Sequence, residues 1–222
     1  MSSIPPGEKS MATQRRSFVV RAAAAIASLA TAGRVDAQGV LSQEPDESWL
    51  QGLSGKHRQF FDVNALNGGT GLRRVGNFLD AYRDAYALTD RDLNAIFGAH
   101  GEGLGFTLDD SVWSRFELGA RYSVVDPRDG RPAKRNIYAT NDGSPGSLPS
   151  VAALHVRGVR FLACRQTIGR LARDLAAEKK LAVDDVRATL EGGLLPGVTP
   201  VPAMVIAANR AQEAGLTYVF VG

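Results

Sequence analysis

The sequence predicts an α/β protein: a three-layer α/β/α sandwich built on a mostly parallel sheet of about five strands. Three observations predict it. Short apolar runs alternate with helical segments about five times along the chain. At least one of those segments carries a clear apolar stripe on a single face. The stretch that alternates has the size of one domain with a full core, and no internal repeat divides it.

The elements follow in order. Residues 57–63 read as the first strand. Over 72–88, Leu72, Val75, Gly76, Leu79, Tyr82 and Tyr86 fall at helical spacing. Residues 94–99 form a second, buried-looking strand that ends at His100 and Gly101. A helix over 109–118 opens with Asp109 and Asp110, where the macrodipole favours acids. Between 119 and 149 the pattern dissolves into Pro, Gly, Asp, Asn and Arg, which reads as a long insertion or lid. A short helix over 151–155 leads to a strand over 159–163, then Cys164, then a helix over 166–177. A further short helix covers 183–190, with Asp184 and Asp185 as a helix-start pair. The prolines within 195–202 suit an edge strand. A helix over 204–214, stopped by Gly215, precedes a final strand over 216–221. Right-handed crossovers connect strands of this kind.

The first residues address the compartment. Arg15 and Arg16 precede a run over 18–33 that is mostly Ala, Val, Ile and Leu. It is too short and too weakly apolar for a membrane span, which needs about 20 apolar residues. Val35, Asp36 and Ala37 fit the small-residue pattern before a cleavage point. Paired arginines with Phe18 two positions on resemble the twin-arginine class of bacterial export signals, with Gln14 standing where Ser or Thr is usual. Residues 1–37 are therefore read as an export signal, 38–55 as a linker and 56–222 as the domain. The expected location is the periplasm, reached through the twin-arginine export machinery. Met1 and Met11 both stand as possible starts.

Removing that signal changes the charge balance. It holds Lys9, Arg15, Arg16, Arg21 and Arg34 against Glu8 and Asp36, the whole net +3 of the chain. The rest is close to neutral and shows no basic stripe with interleaved aromatics, so nucleic-acid binding is excluded. The mature chain is expected to have no stable membrane span.

Cys164 is the only cysteine, so an internal disulfide is impossible. It stands where a strand gives way to a helix, the edge at which α/β proteins keep their chemistry. Two readings compete: a reactive thiol, or a small residue packed at a strand end. His100 ends the second strand, as a general base or soft-metal or haem ligand, or as a histidine satisfied by a loop carbonyl. Gly101, Gly103 and Gly105 around Glu102 form a loop able to approach a ligand. Asn67, Gly68, Gly69, Thr70 and Gly71 resemble a phosphate-cradling turn, although no Gly-Lys-Ser/Thr follows. His57 and His155 lie apart from that edge, and no zinc motif is present. Trp113 and Phe116 at helical spacing read as core; with Trp49, Phe106 and Tyr122 they offer an apolar wall or an oligomer contact.

Three blocks carry a resemblance: Arg157-Gly158-Val159-Arg160-Phe161-Leu162-Ala163-Cys164; Leu194-Leu195-Pro196-Gly197-Val198-Thr199-Pro200-Val201-Pro202-Ala203; and Arg210-Ala211-Gln212-Glu213-Ala214-Gly215-Leu216-Thr217-Tyr218. With Phe97-Gly98-Ala99-His100-Gly101 upstream, they resemble the DsrE/DsrF-like family of sulfur-relay proteins over about 56–221. The 119–149 insertion and the export signal make the chain look more like exported members than cytoplasmic sulfur carriers. The resemblance implies a homo-oligomer, a trimer or hexamer, that carries sulfane sulfur as a persulfide at the Cys164 position. It implies a sulfur donor or acceptor protein, or a small thiol, as partner. Activity would be sulfurtransferase-like at most. Such a thiolate needs a lowered pKa and access, which the following helix N-terminus and an inward-turned Arg165 would favour. The expected site is thus Cys164 and His100, with Asn67, Gly68, Gly69, Gly101 and Arg165 shaping a shared crevice. The alternative is a non-catalytic oligomeric module that holds a small ligand or redox cofactor in that crevice. The sequence names no cofactor, and the dinucleotide fingerprint Gly-x-Gly-x-x-Gly is absent after the first strand.

Overall fold

The computed structural model describes residues 46–141 and 147–222. The export signal read over 1–37 and the start of the linker lie outside the described residues. Five strands form one sheet: β1 (His57–Val63), β2 (Leu93–Ala99), β3 (Arg160–Cys164), β4 (Val198–Val201) and β5 (Thr217–Val221). All neighbours pair in parallel, in the order β4-β3-β2-β1-β5. Seven helices connect them: α1 (Thr70–Tyr86), α2 (Asp110–Arg115), α3 (Leu118–Arg121), α4 (Val151–Val156), α5 (Arg165–Lys179), α6 (Val183–Gly192) and α7 (Met204–Glu213). The α/β/α sandwich predicted from the sequence is the architecture found, with the sheet wholly parallel.

Strand alternation divides the core in two. Phe61, Val63, Phe97, Ala99, Phe161 and Ala163 point to one face, against apolar residues of α1 to α6. Phe60, Ile96, Leu162 and Cys164 point to the other, against Met204, Ala207 and Ala211 of α7. Each fully buried Phe or Leu contributes about 1.5–3 kcal/mol relative to exposure. Chain order explains the unequal layers. The links from β1 to β4 step one strand at a time and stack their helices on one side, whereas β4 to β5 spans the whole sheet and lays α7 alone on the other.

Boundaries differ from the periodicity where the backbone turns left-handed. α1 stops at Ala87 (φ 55), whose N–H bonds the Arg83 carbonyl, instead of running to 88. The helix expected over 109–118 breaks at Glu117 (φ 53), which separates α2 from α3. Asp109 caps α2 by accepting from the Val112 amide at 3.0 Å. β4 is an edge strand, as Pro200 requires.

Two segments are more firmly docked than expected. The linker read over 38–55 is packed from residue 46 onward: Trp49 is buried in the α7-side core, Glu47 pairs with Arg210 at 2.7 Å, and Arg160 donates to the Trp49 and Gln51 carbonyls at 2.6 Å. The described part of the 119–149 insertion is likewise no free lid. Ala133 is buried, and a Cβ on Gly119 would lie 2.1 Å from its carbonyl oxygen. Asn136 is buried with its amide donating to the carbonyls of Gly105, Phe106 and Leu108. Tyr138 stacks edge-on to Phe106. Among the described residues, no helix is long and apolar enough to cross a membrane.

Candidate functional site

The carboxyl ends of β1, β2 and β3 share one edge of the sheet, where the sequence places its chemistry. Cys164 does not open there. It is 4% exposed and belongs to the cluster of Phe60, Ile96, Leu162, Val201 and Met204. Two positions beyond Leu162, it takes the same side of the sheet, and the apolar start of α7 packs on that side. Among the described residues its sulfur makes no hydrogen bond. The solvent-reachable thiol expected from the strand-to-helix junction is therefore not what the fold builds, although Cys164 is the N-cap residue of α5.

His100 fares differently. It follows β2 directly, and its Nε2 lies 2.7 Å from Oδ1 of Asp62 on β1. Oδ2 of the same carboxylate accepts from the Tyr218 hydroxyl of β5 at 2.7 Å. Side-chain exposure is 26% for His100 and 14% for Asp62. Both facing atoms are sealed from solvent, and neither has a well-aligned hydrogen bond, so close charge proximity rather than a straight N–H···O bond holds the pair. Two lone pairs at 2.7 Å would repel, so Nε2 carries a proton toward the carboxylate and Nδ1 is the ring nitrogen left to meet a ligand.

The electrostatics agree. Burial pushes the Asp62 carboxyl up, but the His100 and Tyr218 contacts outweigh it and leave the group below its ordinary range. Tyr218 is pushed up to about 12, by burial and by the adjacent Asp62 charge. The trio spans β2, β1 and β5. Between β1 and β5 the helix layers change sides, the kind of switch point at which open α/β sheets bind ligands.

The chain then passes to the other face. Gly101 adopts φ 53, and a Cβ there would lie 2.1 Å from Asn64 Oδ1, so only glycine makes this turn. Its amide meets Thr167 Oγ1 of α5 at 3.4 Å. Beyond it two hollows adjoin. One, of about 420 Å³, is lined by Gly101, Glu102, Arg121, Tyr122, Thr167 and Arg170, among others. The second, of about 450 Å³, shares Glu102 and Tyr122 and includes Asn67, Gly68, Val124 and Ile137.

The single crevice expected from the sequence is thus two places separated by the sheet. Asn67, Gly68 and Gly101 line the hollows on the α1–α5 side, and His100 faces the α7 side with Asp62. Gly69 is buried at φ 84, where a Cβ would strike Leu148 at 2.5 Å, so it serves packing. Arg165 is exposed and lines neither hollow. His57 stacks on Tyr82 at 4.4 Å, and no cluster of three metal-ligating side chains exists among the described residues. Trp113 and Phe116 are core, as their spacing implied.

Sequence reasoning missed Asp62, Tyr218, Glu102 and Arg170 as site residues. Asp62 had a signal: it is the one carboxylate in an otherwise apolar strand end, Phe60-Phe61-Asp62-Val63. No family model matches the chain, and no curated protein matches it. Among solved structures it is similar to MTH1491 from Methanobacterium thermoautotrophicum, a protein of unknown function. That likeness has 19% identity and a TM-score of 0.40, covering 74% of this chain and 99% of that one.

Proposed function

We propose that this protein binds a small molecule at the carboxyl edge of its sheet, with His100 exchanging a hydrogen bond or proton with it and Cys164 serving as a packing residue. The observation that carries this is the 2.7 Å approach of His100 to Asp62. A carboxylate that fixes the Nε2 proton fixes the tautomer, and leaves Nδ1 to accept from a ligand or act as general base. Phe220, opposite Asp62 in the β1–β5 register, is exposed together with Tyr218. These rings offer apolar contact beside the polar trio, to a ligand or to another subunit of the homo-oligomer that the DsrE-like blocks suggest.

Sulfur carriage is the reading that the burial of Cys164 counts against. A persulfide forms when a thiolate attacks a sulfane sulfur, and the surrounding aliphatic and aromatic side chains leave a donor no approach. Export to the periplasm belongs to the proposal on the strength of Arg15, Arg16 and the apolar run that follows. Replacing both arginines by lysine is expected to keep the chain in the cytoplasmic fraction.

Two measurements test the reading. After incubation with thiosulfate or glutathione persulfide, the intact mass should be unchanged. A gain of one sulfur atom, abolished in Cys164→Ser, would restore the sulfur relay and overturn it. Native mass spectrometry of the full chain, purified beside His100→Ala, should show a non-covalent adduct only on the wild type. An adduct retained equally by the variant removes His100 from the site.

A further inference from the structure

On the opposite face from His100, the two adjoining hollows present charges that do not satisfy each other. Arg121 is committed to Glu178 at 2.6 Å and Asp174 at 3.7 Å. Arg170 and Glu102 line the same hollow, yet they form no ion pair with each other or with any other described residue. An anion alone would meet Glu102, and a cation alone would meet Arg170. A ligand that carries both charges satisfies both.

The second hollow begins at the wall they share. Past Glu102 and Tyr122 one wall is apolar, with Leu66, Val124, Val125 and Ile137, beside Asn67 and Ser123. Burial pushes the Tyr122 phenol up to about 12, and the nearby Glu102 charge adds to this against Arg121. The ring therefore stays neutral at the junction of the polar and apolar lobes. Both volumes fall in the range of about 300–1,000 Å³ usual for small-molecule sites. Thr167, in the first turn of the 15-residue helix α5, also lines the first hollow, so the helix dipole adds partial positive charge at the Thr167 end.

We propose that this crevice binds a small zwitterion of the α-amino-acid class with an apolar side chain. Its carboxylate is held by Arg170, its ammonium by Glu102, and its side chain enters the apolar lobe past Tyr122. The proposal stands independently of the His100 reading, since it rests on other residues and the other face of the sheet.

Titration calorimetry on the wild-type full chain tests it with L-leucine and L-phenylalanine as probes, beside leucinamide, N-acetyl-leucine and glycine. Saturable binding of L-leucine or L-phenylalanine is expected. Leucinamide, N-acetyl-leucine and glycine should each bind about tenfold more weakly or worse, through loss of one charge-assisted contact or of the apolar tail. In Arg170→Gln the difference between leucine and its amide should vanish, and in Glu102→Gln the difference between leucine and its N-acetyl form. Both positions are exposed, and the ligand series needs no variant. No saturable heat with either amino acid at millimolar concentration overturns the proposal, as does leucinamide or N-acetyl-leucine binding the wild type as tightly as leucine.

Discussion

Cys164→Ala separates a packed sulfur from a working one. The wild-type side chain is 4% exposed among Phe60, Ile96, Leu162, Val201 and Met204. Its sulfur is about the size of a methylene, so removing it forfeits about 0.8 kcal/mol of transfer free energy. If the hollow of about 20–30 Å³ does not collapse, a cavity term of about 0.5–0.7 kcal/mol is added. The expected loss is about 1–1.5 kcal/mol, or about 3–5 °C in Tm for a domain of this size. Cys164→Ser should lose less than the alanine, because the position is the N-cap of α5 and a hydroxyl there can accept from the Gln166 or Thr167 amide. The assay is urea unfolding at neutral pH under reductant, with labelling of the native wild type by a bulky maleimide. Labelling should be negligible until the protein is denatured. An alanine variant within about 0.3 kcal/mol of wild type, or rapid labelling of native protein, would refute the packing argument.

Other predictions follow from named contacts. The Asp62 carboxyl is held below its ordinary value of 3.8, so its stabilisation is present above that value and lost as pH falls through the lower folded value. Asp62→Asn should cost about 1–2 kcal/mol near neutrality, and denaturant titrations should converge with wild type only as pH falls below 3.8, through the lower folded value. Tyr218 is raised from 10.0 to about 12, so its contribution is complete below pH 10 and disappears between 10 and 12. Spectrophotometric titration should find Tyr218 ionising late together with Tyr122, with one late phenol fewer in Tyr218→Phe. Asn136→Ala should cost about 2–4 kcal/mol by denaturant unfolding, since it orphans the Leu108 carbonyl and the Tyr138 amide in a buried site. Gly119→Ala places a Cβ 2.1 Å from backbone at Ala133. It should cost about 1–3 kcal/mol, with near-ultraviolet circular dichroism reporting a disturbed Trp113 and Tyr138 environment; an unchanged spectrum and stability would show that the 119–149 segment is not anchored there.

Local pattern carried much of the fold. The strand ends at His100 and Cys164 were legible because apolar runs stop there and turn or helix residues begin. Gly101 was legible as a turn, and its φ of 53 against Asn64 shows why. The docking of Trp49 and Asn136 was not legible, because both lie in polar, aperiodic stretches and bind through partners far away in sequence, Arg160 for the one and Leu108 for the other. The split of the expected crevice was equally hidden. Asn67 and Cys164 both lie near the carboxyl edge, but nothing in either segment says on which side of the sheet it falls.

The sequence by itself determined the alternation of strands and helices, the solitary thiol, the histidine at a strand end and the net positive charge carried by the first 37 residues, since each is a property of neighbouring residues. Only the tertiary structure decided that β1 lies between β2 and β5, which brings Asp62 to His100 across 38 positions and to Tyr218 across 156. It also decided that the β4-to-β5 connection lays α7 over the face of Cys164. Period-two alternation tells which residues share a face, but what covers that face is set by strand order, and strand order depends on contacts distant in sequence.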